Sequence, residues 1–170
     1  IEQLVTQAYV AIGTTMATYC AQNTGAGRID RVRQGFRAAT VIASIYAVVT
    51  GLMAIFGGKY LTVLFVSENL PQIMELVDIY MKCIGAVFIP LAVVNIYRNG
   101  IQGMGYGLLP MMAGVAELIG RGVVALIAAS RKSYVGACLA NPAAWLFAGA
   151  LLLIMYFSIM KKREKNSLLS

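Results

Sequence analysis

Glu117 and Arg121 are the only charged residues in an otherwise apolar stretch, about 108–129. Four residues apart on a helix, they share one face. A carboxylate there can bind a proton or a cation, with the guanidinium beside it setting its pKa. The same spacing also makes a buried ion pair that only fixes helix packing. Asn95, Tyr97, Arg98, Asn99 and Gln102 form a second polar group at the end of another apolar stretch. Together they could line a polar cavity, or Arg98 could snorkel to lipid headgroups. Pro90, in the same stretch, leaves one backbone carbonyl unpaired, giving either a static kink or a break able to ligate an ion. Gln7 lies in a polar stripe with Thr6, Thr14, Thr15 and Thr18. Those side chains are expected to bond neighbouring helices, and Gln7 could face a cavity.

Other chemistries find little support. The chain has no histidine, which removes histidine metal sites and Ser-His or Cys-His catalysis. Cys20, Cys83 and Cys138 are widely spaced, form no pair motif, and read as small apolar packing residues. Gly103-x-Gly105-x-Gly107 follows no strand and precedes no Lys-Ser/Thr, so it reads as a turn rather than a nucleotide loop. No nucleophile stands with a base, so an enzyme is not expected, and neither is a cofactor or a resident metal.

The elements that must position these residues follow from composition. Of 170 residues, 59% are hydrophobic and 12% charged. A soluble domain carries about 25% charged residues and lacks long apolar blocks. An all-α polytopic transmembrane bundle is therefore predicted, with five spans near 4–21, 38–56, 74–98, 108–129 and 135–160 and a basic tail over 161–170. A polar loop is expected over Gln22–Arg37, a helix start at Ser67–Pro71, a Gly-rich connection over Gly100–Gly107, and a last span opened by Asn141-Pro142. Tyr60, Phe65 and Tyr80 fit an aromatic belt.

The net charge is +7, from 14 Lys+Arg against 7 Asp+Glu, and most basic residues sit in short runs between apolar blocks. That pattern orients membrane proteins and argues against nucleic acid as a partner. Five spans place nine basic residues on one side, in the Arg28–Arg37 region, at Arg98 and in the tail, and four on the other: Lys59, Lys82, Arg131 and Lys132. The richer side, with the C-terminus, is expected in the cytoplasm. Arg28, Asp30, Arg31 and Arg33 read as a solvated loop able to contact lipid phosphates. The non-Met, immediately apolar start leads to the expectation of further helices upstream.

Several segments resemble one family. Gln22-Asn23-Thr24-Gly25-Ala26-Gly27-Arg28, followed by Asp30-Arg31-Val32-Arg33-Gln34-Gly35, is similar to the cytoplasmic loop after the second helix of a lobe in multidrug and toxic compound extrusion (MATE) transporters. Gly57-Gly58-Lys59 through Phe65 resembles the external segment after the third helix. Tyr97-Arg98-Asn99-Gly100-Ile101-Gln102-Gly103-Met104-Gly105, with Pro110, Glu117 and Arg121, resembles the fourth-to-fifth helix region. The resemblance implies helices eight to twelve of a twelve-helix fold, with the N-terminal lobe as missing partner. It further implies a plasma-membrane antiporter that exchanges H⁺ or Na⁺ for lipophilic or cationic organic compounds by alternating access. Some relatives couple through an acid in the fourth helix of this lobe. Leu91 stands at that position here, so coupling falls to the missing lobe or to Glu117. Two rival expectations are a flippase of lipid-linked precursors, which would favour more basic residues along its cavity, and a non-transporting remnant of a truncated gene.

Overall fold

The computed structural model describes residues 2–63 and 71–167, and every regular element among them is helical. The helices are α1 (Glu2–Gly25), α2 (Ile29–Val63), α3 (Pro71–Gly85), α4 (Phe88–Gly103), α5 (Leu108–Ser130), α6 (Tyr134–Cys138) and α7 (Ala140–Ser167). The all-α polytopic bundle is thus the observed fold. Pro71 opens α3, and Asn141 and Pro142 lie in the first turn of α7, where a missing N–H costs no helical bond. Phe65 and most of the expected Ser67–Pro71 start lie outside the described residues, as does the side chain of Tyr60.

Three boundaries differ from expectation for identifiable reasons. The polar stretch Gln22–Arg37 is not a loop: α1 runs to Gly25, α2 begins at Ile29, and Arg31, Arg33 and Arg37 lie on its first turns. Nothing between 22 and 37 breaks a helix except the turn itself. There Arg28 N–H donates to Asn23 O at 2.8 Å and Gly27 N–H to Thr24 O at 3.1 Å, with Gly27 at φ +71°. Only a residue tolerant of the left-handed region closes a helix that way. The connection after α4 is equally short. Gly105, at φ +92°, closes it with Tyr106 N–H on Ile101 O at 3.3 Å, while Gly100 and Gly103 belong to α4. The basic tail is likewise helical as far as Ser167, where α7 ends.

Pro90 does not sit at the bend itself. α3 and α4 meet at 49°, and the break falls at Ala86–Val87. A proline ring clashes with the carbonyl four residues earlier, here that of Ala86, so the helix ends upstream and Pro90 occupies the first turn of α4. By length and composition α2, α5 and the α6–α7 region, as Ile29–Gly58, Leu108–Ser130 and Tyr134–Lys165, can cross a membrane, and the bent α3–α4 pair makes a fourth crossing if taken as one. The expected first of five spans, over 4–21, is helical and lies within 24-residue α1, but that helix is not among those apolar enough. Its glutamines and threonines lower its hydropathy, although 24 residues reach about 36 Å.

The bundle is organised around α4. Helix α1 packs on it more extensively than any other pair packs, and α2 and α7 flank it. Small residues allow the approach. A Cβ on Gly103 would stand 2.2 Å from Ala17 O, and one on Gly13 would stand 2.9 Å from Asn95 O, so α1 and α4 run parallel with backbones nearly touching. On the other flank Phe36, Tyr97 and Tyr156 pack with tilted or edge-on rings, centroids 4.5–5.1 Å apart, and join α2, α4 and α7. Gly100 leaves room for the Phe36 ring, which a Cβ there would meet at 2.4 Å. The outer faces of α2 (Val41, Ile42, Ile45, Val48) and α5 (Leu108, Met111, Leu118, Leu126) are apolar and exposed, as a lipid-facing surface must be.

Gly103→Ala should cost about 1–3 kcal/mol, because the methyl meets backbone that cannot rotate away. Gly114→Ala, with nothing within 4 Å of its Cβ, should cost nothing. Thermal unfolding of the two variants in detergent checks this: equal midpoints would show that the α1–α4 seam is not tight.

Candidate functional site

The Gly105 turn folds α5 back beside α4, and this brings three charges together. Arg98, on α4, donates from Nη2 to Oε2 of Glu117, on α5, at 2.5 Å. Arg121 donates from Nη2 to Oε1 of the same carboxylate at 2.8 Å, one helical turn away. Each oxygen of Glu117 therefore holds one guanidinium. The Glu117 side chain is 14% exposed, against 32% for Arg98 and 43% for Arg121. Glu117 lies nine residues into α5, about 13 Å along the axis from its start, well inside a bilayer's apolar depth. In that setting a carboxylate persists as an anion only with such donors, and two arginines against one acid leave the group with one surplus positive charge. The Nε–H groups of Arg98 and Arg121 have no acceptor among the described residues, so the site retains donors of its own.

The expected pair is thus a triad, and Arg98 reaches Glu117 instead of snorkelling to the surface. Its partner was missed because residues on either side of a turn carry no mutual spacing in sequence. The polar group around Arg98 does not converge on one cavity. Tyr97 belongs to the aromatic stack, Gln102 is exposed, and Asn95 and Asn99 face α1 at Gly13. Asn95 Nδ2 donates to Leu91 O at 3.0 Å and Asn99 Nδ2 to Asn95 O at 2.8 Å. Leu91 itself is buried in the core.

Gln7 is exposed, and among the described residues the threonine hydroxyls of its stripe donate to carbonyls of their own helix. Thr14 Oγ1 donates to Val10 O at 2.8 Å, Thr15 Oγ1 to Ala11 O at 2.9 Å, and Thr18 Oγ1 to Thr14 O at 3.4 Å. Satisfied within the helix, these hydroxyls leave α1 with an exposed face carrying Gln3, Gln7, Thr14, Thr18 and Gln22. It is the polar counterpart of the apolar outer faces of α2 and α5. Beside it, a groove of about 500 Å³ runs between α1 and α2, with Thr15, Tyr19 and Gln34 among mostly apolar walls.

Long apolar helices, a charge triad joining α4 to α5 and one polar outer face define a polytopic helical membrane protein. The family model MatE matches residues 1–127. The chain belongs to the MATE family of membrane transporters, a transport family and not an enzyme family. No curated protein and no solved structure matches it.

Removing Glu117 strands two guanidiniums, whereas removing either arginine leaves the acid with the other. Glu117→Leu should therefore cost more stability than Arg98→Leu or Arg121→Leu, on the order of 2–3 kcal/mol given the partial exposure of both arginines. Thermal unfolding in lipid nanodiscs reads the order, and equal losses for all three would show that the carboxylate is not the hub.

Proposed function

We propose that the chain forms part of one lobe of a plasma-membrane antiporter that exports lipophilic or cationic organic compounds in exchange for H⁺ or Na⁺ by alternating access. The observation that carries this is the Arg98–Glu117–Arg121 triad in a chain of this family. Its carboxylate is the one acid within the described membrane-depth part of α5, and it ties that helix to α4.

A proton or cation arriving at Glu117 would neutralise the charge that holds both guanidiniums. Arg98 would be released, and α4 would be freed to shift against α5. The ionised carboxylate would draw the two helices together again. Coupling of this kind needs a group whose charge state changes its neighbours' contacts, and a differential contact is the only way an ion can move a conformational equilibrium. The exposed polar face of α1 supports an aqueous pathway on that side, facing a second lobe, because Gln7 in contact with lipid would be costly. With Arg98 held in the triad, eight basic residues remain at one end against Lys59, Lys82, Arg131 and Lys132 at the other, and this supports a cytoplasmic location for the α1–α2 turn and the end of α7. Arg33 and Glu164, at 3.4 Å, place those two segments at one end of the bundle.

In the intact transporter, Glu117→Gln should abolish export of an organic cation such as ethidium against its gradient, while downhill exchange continues. Unchanged uphill export, with unchanged pH and Na⁺ dependence, would remove Glu117 from the coupling. Single cysteines at Arg28 and Lys162, both exposed, should label with a membrane-impermeant thiol reagent only from the cytoplasmic face. Labelling from opposite faces would overturn the topology.

A further inference from the structure

The end of the bundle away from the α3–α4 bend carries a charge excess that the transport reading does not use. Two cavities adjoin there and share Arg33 and Glu164. The first, about 610 Å³, lies between the α1–α2 turn and the end of α7 and is lined by Arg28, Arg31, Arg33 and Arg163. The second, about 500 Å³, lies between α2 and α7, with Arg37 and Lys161 beside the rings of Phe36, Tyr97, Tyr156 and Phe157. Six cationic side chains thus face two carboxylates, Asp30 and Glu164. Among the described residues Arg33 is paired, with Glu164 at 3.4 Å, and Arg163 is spent on Met104 O at 3.3 Å and on the Tyr106 ring at 5.5 Å. Arg28, Arg31, Arg37 and Lys161 have no acid partner there.

The position of this excess selects its counter-charge. These residues occupy the first turns of α2 and the last turns of α7, where both helices leave their apolar stretches, so they lie at headgroup depth. The two cavities also differ in character along the helix axis: guanidiniums at the outer one, an aromatic floor with Met160 at the inner one. A free phosphate would use only the outer part. A zwitterionic lipid would bring its ammonium against the arginines. An amphiphile with a net negative phosphodiester and an acyl chain satisfies both parts.

We infer that this double cavity is a binding site for an anionic phospholipid, its phosphate held by Arg28, Arg31 and Arg33 and its acyl chain laid along Phe157, the exposed ring of the inner cavity. The lipid bridges α2 to α7 at the same end where Arg33 and Glu164 already join them. This rests on the membrane setting alone and not on what is transported or which ion drives it.

Native mass spectrometry of the intact transporter, released from detergent with an equimolar mixture of phosphatidylglycerol and phosphatidylcholine, tests it without any transport measurement. The wild type should retain phosphatidylglycerol in preference. Arg28→Gln with Arg31→Gln, two exposed positions, should lower that retention on the order of tenfold. Phe157→Ala, also exposed, should weaken the lipid but leave direct binding of glycerol phosphate unchanged. The site is overturned if the wild type retains both lipids equally, if the double arginine variant keeps phosphatidylglycerol like the wild type, or if glycerol phosphate displaces the lipid as effectively as lipid itself. An unchanged unfolding midpoint of each variant in neutral detergent shows that the fold is retained.

Discussion

Hydrocarbon offers a charged group neither a counter-ion nor a hydrogen bond, and this constraint arranges the whole bundle. Glu117 can sit at depth in α5 only because Arg98 and Arg121 each take one of its oxygens. That requirement fixes the rotation of α5 about its own axis, since the acid must turn toward α4. The opposite side of α5, with Met111, Leu118 and Leu126, then faces outward. It also fixes the length of the α4–α5 connection, because Arg98 meets Glu117 only if the chain reverses tightly at Gly105.

The second constraint is steric. Backbones that approach closely need residues without side chains, and the glycines at 13 and 103 lie where α1 and α4 meet. The seam carries Asn95 and Asn99, whose Nδ2 groups donate to carbonyls of their own helix. The polar side chains of α1 are thereby left to its other, exposed face. A single helix thus presents a packed side to the bundle and a polar, exposed side away from it.

Apolar blocks are legible in sequence because their lengths report bilayer thickness, and the cores of α2, α5 and α7 were found where hydropathy placed them. Ends were less legible. Which glycine adopts the left-handed conformation depends on the backbone of the turn, so Gly27 and Gly105 could not be told from Gly25, Gly100 or Gly103. The arginines of α2 looked like a loop because charge resembles solvent exposure, yet charged residues continue a helix well past the membrane. Of the site, Glu117 and Arg121 were readable from their spacing of four. The link to Arg98 crosses a turn and needed the fold. The threonines of α1 were not legible, because a hydroxyl can bond either its own helix or another, and nothing in the residue types decides which.

A Glu117 carboxylate held by guanidinium on both sides within lipid underlies this arrangement. Solid-state NMR on the intact transporter in bilayers, with ¹³C-labelled glutamate and ¹⁵N-labelled arginine, measures this directly. The carboxyl signal assigned to residue 117 by its loss in Glu117→Gln should carry the shift of a carboxylate and dephase strongly against arginine side-chain nitrogen. A protonated shift, or a signal that does not dephase, would contradict it.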